Sequence, residues 1–402
     1  MSKNSIPAVR FCDFSDNWES KQIGELASVA MNKRIFKEET SEVGEIPFYK
    51  IGTFGSEPDS FITREKFEEY KSKYPYPEIG DILISASGSI GRTVEYQGEE
   101  AYFQDSNIVW LKHDERLDNS FLKQFYSIVK WQGIEGTTIK RLYNKNILET
   151  TIALPSISEQ SAIGSLFRNL DDLLSNYKDN LTNYQSFKAT MLSKMFPKAG
   201  QTVPEIRLDG FEGEWEKSKL KDVAYRVQGN DGRMDLPTLT ISASGGWMNQ
   251  IDRFSANIAG KEQKNYTLLK KGELSYNHGN SKLAKYGVVF ELQDYEEALV
   301  PKVYHSFRVN KLADAKFIEI MFSTKIPDRE LGKLISSGAR MDGLLNISFD
   351  DFMNISIIIP TIKEQQAIGA YFSNLDNLIN SYQEKISQLE TLKKKLLQDM
   401  FI

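Results

Sequence analysis

Side chains able to grip a polyanion or the edges of bases gather in short runs rich in glycine and serine, and they do so twice along this chain. The first half offers Ser85, Ser87, Ser89 and Arg92, then Gln104 and Asn107, then Thr137, Thr138, Lys140 and Arg141. The second offers Ser242, Ser244, Trp247 and Asn249, then Asn277, His278, Asn280, Lys282 and Lys285, then Arg340. Hydroxyls, amides and backbone N–H groups suit phosphate oxygens, while Arg, Lys, Asn and Gln present the donor and acceptor patterns that base edges match. One such loop is ordinary surface chemistry; the whole set, present in both halves, points to DNA. A rival reading is a non-catalytic protein-interaction scaffold with two variable binding domains, since Trp247, Tyr276 and Tyr286 could serve such a surface. Basic character on those faces favours DNA, and acidic character favours the scaffold.

Signatures of catalysis are missing. There is no G-x-x-x-x-G-K-[ST] phosphate loop, no N-P-P-[FY] and no H-E-x-x-H. Pro327-Asp328 followed by Glu330 and Lys333 has poor spacing for a nuclease centre and better fits a helix cap, and Gly88-x-x-Gly91 lacks a βαβ context. Cys12 is the only cysteine, and His113, His278 and His305 stand singly, so we expect no disulfide and no metal site. The net charge of −5 weighs against DNA binding, but DNA responds to the potential of a local patch rather than to the total. With 402 residues and a hydrophobic fraction of 40%, two or three domains with real cores are expected. No apolar run reaches the roughly 18 residues of a membrane span, and the opening ten residues lack a secretory core, so a cytoplasmic protein with no membrane partner is expected.

The elements that must carry these loops are repeated. Residues 154–196 align without a gap on residues 359–401, with Pro155 on Pro360 and about 17 of 43 positions identical. The shared core reads P-x-I-x-E-Q-x-A-I-G, then F-x-N-L-D. Pro7, Arg10, Phe14, Trp18, Glu19 and Ala27 likewise match Pro204, Arg207, Phe211, Trp215, Glu216 and Ala224. Between these landmarks lie two blocks of about 130 residues that diverge, leaving only echoes such as Gly80-Asp81-Ile82-Leu83 against Gly272-Glu273-Leu274. A duplicated enzyme keeps its chemistry in both copies, whereas a duplicated reader is free to let each copy read something different.

Each repeated segment closes on a long helix. Leu166, Leu170, Leu173, Tyr177, Leu181, Tyr184, Phe187, Met191 and Met195 fall at steps of three and four, as do Phe372, Leu375, Ile379, Tyr382, Ile386, Leu389, Leu392, Leu396 and Met400. Ser156-x-x-Glu159 and Thr361-x-x-Glu364 fit capping boxes. About 38 residues make a helix of roughly 55–60 Å, and so long and narrow a stripe is best buried by pairing the two helices as an antiparallel coiled coil.

Alternation and turn residues predict strands at 46–51, 81–85, 93–96, 108–112 and 151–154, with a helix over 119–131. The second block repeats the theme, with strands at 238–242, 273–276, 287–291, 306–309 and 355–359 and a helix over 315–324. The expected fold is α+β, a pseudo-twofold tandem repeat in which two mixed α/β domains (1–154 and 204–358) are separated by the paired helical regions 155–197 and 359–402.

This layout resembles the specificity (S) subunit of type I restriction-modification systems. Gly210-Phe211-Glu212-Gly213-Glu214-Trp215-Glu216 is similar to the motif that precedes the family's recognition domains, with a weaker, glycine-free copy at Asp13–Glu19. Pro155–Gly164 and Pro360–Gly369 resemble its helix-start motif. The resemblance implies two target-recognition domains, each reading one half of a bipartite asymmetric sequence in double-stranded DNA. It implies that the paired helices set the gap and dock two methyltransferase (M) subunits, which restriction/translocase (R) subunits join. It also implies that this chain is not an enzyme and carries no cofactor, S-adenosylmethionine, ATP and Mg being bound by those partners.

Overall fold

Ile82-Leu83-Ile84-Ser85 is buried at every position because a central strand has two faces to fill, and its side chains alternate between two cores. Ile82 and Ile84 join Val109, Leu111, Phe121 and Leu122 on one side, while Leu83 joins Phe54, Phe103, Ile108 and Trp110 on the other. The computed structural model describes residues 6–133, 140–254, 260–279, 282–335 and 344–401, and they form two units.

The first unit comprises Met1–Asp179 and Glu384–Ile402. Its central sheet is antiparallel, in the order Ala27–Ala30, Ile108–His113, Ile82–Ser85, Thr93–Glu95, with Ile84 opposite Val109. The helix Asn119–Ile128 covers one face, N-capped by Asp118, whose carboxylate accepts from Ser120 N at 2.8 Å and Phe121 N at 3.2 Å. Beyond the other face lies a distal layer: the three-stranded sheet of Phe61–Ile62, Ile46–Tyr49 and Tyr102–Phe103, with the helix Arg64–Lys73, closed around Ile46, Phe48, Ile62, Phe67 and Tyr102.

The second unit, Asn180–Gln383, repeats the central sheet as Ala224–Arg226, His305–Val309, Leu274–Asn277, Val288–Glu291, covered by Ala315–Ser323 with Asp314 as N-cap. Tyr276 stands opposite His305, where the first unit has Ile84 opposite Val109. Its distal layer is built from other parts: a hairpin, Leu239–Ser242 with Gly246–Asn249, and an antiparallel pair, Thr267–Lys270 with Glu297–Val300, linked by a parallel bridge between Thr238 and Leu299 and packed around Leu239, Ile241, Leu269 and Leu292.

The long helices are Ile157–Lys194 and Ile362–Asp399, 38 residues or about 57 Å each, and each one has residues in both units. Within the first unit they pack antiparallel: Leu170, Leu389 and Leu396 share a core, Lys178 pairs with Glu390 at 2.7 Å, and Lys393 pairs with Asp171. Within the second, Tyr184 meets Tyr382 at 5.3 Å between ring centres and Lys188 pairs with Asp376. These last two lysine–aspartate pairs occupy equivalent positions of the repeat. The seam differs from expectation at three residues. Leu173 is 40% exposed while Leu174 is 7% exposed, because the repeat through Phe167, Leu170, Leu174 and Tyr177 alternates steps of three and four and passes Leu173 by. Phe187 and Leu392 also point outward.

The predicted strands and both cap helices are present, with ends within one to three residues. Glu19–Gln22 and Glu216–Lys219 are unanticipated strands, pairing with Thr151–Leu154 and Ser356–Ile359; their polar, exposed residues give no sequence signal. No described helix is long and apolar enough to cross a membrane.

Candidate nucleic-acid interface

In the first unit the three candidate loops converge at one end of the central sheet. Ala86 N donates to Asn107 O at 2.7 Å, Leu142 N donates to Ala86 O at 2.8 Å, and Ser87 bridges Arg141. The runs 85–92, 104–107 and 140–142 are therefore stitched together by backbone bonds. The second unit does the same: Leu345 N donates to His278 O at 2.9 Å and Gly279 bridges Leu344. Its hairpin turn at 242–246 joins the group through Asn277, whose Nδ2 donates to Ile241 O at 3.2 Å.

Ser85, Ser87 and His278 are buried and serve the fold, which corrects the expectation for them, while the half-buried Gln104, Asn249 and Trp247 each spend one polar atom on the fold. Ser85 is buried, its hydroxyl donating to Ser89 O and accepting from Arg92 N at 3.0 Å, which holds the turn. Ser87 is buried and donates to Asn107 Oδ1 at 2.7 Å. Gln104 Oε1 accepts from Ile51 N at 3.0 Å, and Asn249 Oδ1 accepts from Ile251 N at 3.1 Å. Half-buried Trp247 donates to Glu291 O at 3.0 Å. His278 is buried, its ring nitrogens 2.7 Å from Leu345 O and 2.9 Å from Val303 O. Small polar side chains in tight turns find backbone partners first, which composition alone cannot reveal.

Ser89, Arg92, Lys140 and Arg141 are exposed around the first cluster, and Ser244, Lys282 and Lys285 around the second. Lys285 lies over the Tyr286 ring at 5.2 Å. Thr137, Thr138, Asn280 and Arg340 lie outside the described residues. Arg34 also lies at the first cluster: its exposed guanidinium donates to Asp105 at 2.9 Å, beside Gln104 and Asn107. It sits in no glycine-serine run, and nothing in the sequence marked it. No group of acidic, histidine or cysteine side chains suited to a metal ion occurs among the described residues.

Beneath the second cluster the His278 ring stacks on His305, 4.7 Å between centres. Burial lowers the His305 pKa to about 4, helped by the neighbouring His278 and Arg226 and opposed by its bond to Ile347 O.

The repeated P-x-I-x-E-Q motif anchors each block on its long helix. Ser156 Oγ accepts from Glu159 N at 3.3 Å and Thr361 Oγ1 from Glu364 N at 3.4 Å, as a capping box requires. The reciprocal half is absent, because the glutamates face inward. Glu159 takes both arms of Arg10, at 2.6 and 2.7 Å, and Trp18 Nε1 at 3.2 Å; Glu364 takes both arms of Arg207, at 2.8 and 2.7 Å. These bonds raise the pKa of both arginines. The recurrence of Arg10 and Arg207 at matched places was the sequence signal for this pairing.

Residues 15–183 and 212–391 each match the family model for the type I restriction modification DNA specificity domain. A putative type I restriction enzyme specificity subunit of Haemophilus influenzae is 52% identical over 161 residues, a stretch that covers 40% of this chain and 42% of that protein, less than half its length. The type I restriction enzyme MjaVIII specificity subunit of Methanocaldococcus jannaschii is 22% identical over 335 residues, covering 79% of this chain and 74% of that one. In fold, the chain is similar to the crystal structure of a type I restriction-modification S subunit from M. genitalium, with a TM-score of 0.58 and 15% identity over 99% of both chains.

Proposed function

This chain belongs to the type I restriction-modification DNA specificity family, and from that premise we propose that its two recognition domains read the two halves of a split, asymmetric DNA target. What supports this above all is the contrast inside the repeat: two units with the same central sheet and the same anchoring motif hold distal layers that differ in strand number and in the elements added to them. Equivalent frames bearing unlike surfaces suit a target whose halves differ. Reading by a protein surface needs a few Arg, Asn or Gln side chains on base edges and Lys or Arg on phosphates. The exposed Arg92, Lys140 and Arg141, and Lys282 and Lys285, fill such places around the two loop clusters.

On this reading the paired helices set the gap between the half-targets and dock two methyltransferase subunits, which restriction subunits join. The chain contributes recognition and no bond-making step; S-adenosylmethionine, ATP and Mg are bound by those partners. Exchanging residues 20–150 for the matching block of another family member tests this. Methylated adenines mapped across the host genome should then show one half of the target changed and the other half and the gap preserved. A change in both halves, or in neither, overturns the reading.

A further inference from the structure

We propose that Gln160 and Gln365 are positioning residues that govern how strictly the chain measures the gap between its two half-targets; this rests on the split-target reading above. Both side chains are fully buried, at 0% exposure, which is costly for an amide unless each polar atom is bonded. In both, every group is used. Gln160 Oε1 accepts from Asp118 N at 2.9 Å, and its Nε2 donates to Arg116 O and Pro155 O, each at 3.0 Å. Gln365 Oε1 accepts from Asp314 N at 3.0 Å, and its Nε2 donates to Leu312 O at 3.0 Å and Pro360 O at 2.8 Å. An amide has two N–H donors, and here both are spent on carbonyls whose directions fix its plane.

The position of this clamp gives it its meaning. Each glutamine sits in the first turn of a long helix, and Asp118 and Asp314 are the N-caps of the cap helices, Asn119–Ile128 and Ala315–Ser323, that cover the central sheets. One planar side chain therefore ties the start of the long helix to the start of the cap helix within the same unit. At the same junction in the first unit, Gly164 permits a close approach: a Cβ there would lie 1.7 Å from Ser120 Oγ. The blocks have diverged, yet the three bonds recur with the same partners in the same order. What the two junctions share is an orientation of block on helix. A reader of two separated half-targets needs that orientation held tightly, because a small error at the junction grows toward the reading surface.

The test uses the full chain in complex with its methyltransferase subunits and duplexes carrying the two mapped half-targets, at the native gap and at one base pair more or less. Gln160→Met and Gln365→Met keep the side-chain length and delete the three bonds. Each should lower the preference for the native gap about tenfold, while binding to each half-target alone stays within about twofold. Gln365→Glu, which turns an oxygen toward the two carbonyls that Nε2 now serves, provides the same comparison should a methionine variant not fold. If the variants weaken native-gap and altered-gap duplexes by the same factor, the glutamines only stabilise the fold and the proposal is overturned. If the unaltered complex itself binds joined halves no better than separate ones, the split-target reading fails and the clamp's role with it.

Discussion

The two recognition units can be compared layer by layer, and they agree where they touch the long helices and part company away from them. Strand order in the central sheet, the aspartate-capped helix, the buried Arg–Glu pair and the glutamine clamp recur with matched partners. The distal layers differ in strand count and in what surrounds the one connection they share: each has a parallel contact, Phe48 with Tyr102 in the first and Thr238 with Leu299 in the second, but one adds a single antiparallel strand and a helix and the other a hairpin and a second antiparallel pair. Residues that must meet a common helix are constrained by its geometry, whereas a layer facing outward is bound only to close its own small core.

The strongest way to break the comparison is at the ion pairs. Arg207→Ala strands Glu364, whose side chain is 1% exposed, as a buried charge without its partner and should destabilise the second unit by about 3–5 kcal/mol. Calorimetry should then show that unit melting ahead of the first. Arg10→Ala should act in the same direction but less severely, because Trp18 still donates to Glu159, whereas Trp215 Nε1 is buried without a hydrogen-bond partner among the described residues.

A smaller effect should expose an asymmetry between the copies. Gly164→Ala forces a Cβ into Ser120 and should cost about 1–3 kcal/mol in denaturant unfolding. Gly369→Ala meets Asp314 Oδ1 at 3.3 Å and Lys316 Cβ at 3.5 Å, and it should cost less than about 1 kcal/mol. Equal losses at the two glycines would contradict the closer approach of the helices in the first unit.

The mildest test is acidity. His305 has a folded pKa near 4, below the ordinary 6.5, so between those values the unfolded chain binds the extra proton. Its contribution is present in full above about pH 6.5 and is lost as the pH falls through that window. The matched position in the first unit is Val109, which cannot titrate. The second unit's melting temperature should therefore drop further between pH 7 and pH 5 than that of a His305→Val variant. Parallel curves would remove His305 from the account.

Much of this organisation was legible in the residues. The duplication, the stripes of the long helices, the central strands and the recurring Arg10/Arg207, Glu159/Glu364 and Gln160/Gln365 follow from period and repetition, because local geometry stamps a spacing on the chain. What each repeated polar residue does was decided only in three dimensions. Glu159 turned from a capping partner into a buried counter-ion, Leu173 yielded the seam to Leu174, Ser87 went inward to bond the Asn107 side chain, and His278 went inward to bond backbone carbonyls. Polarity says that a side chain needs a partner, but the identity of that partner depends on which distant segment the fold brings within about 3 Å.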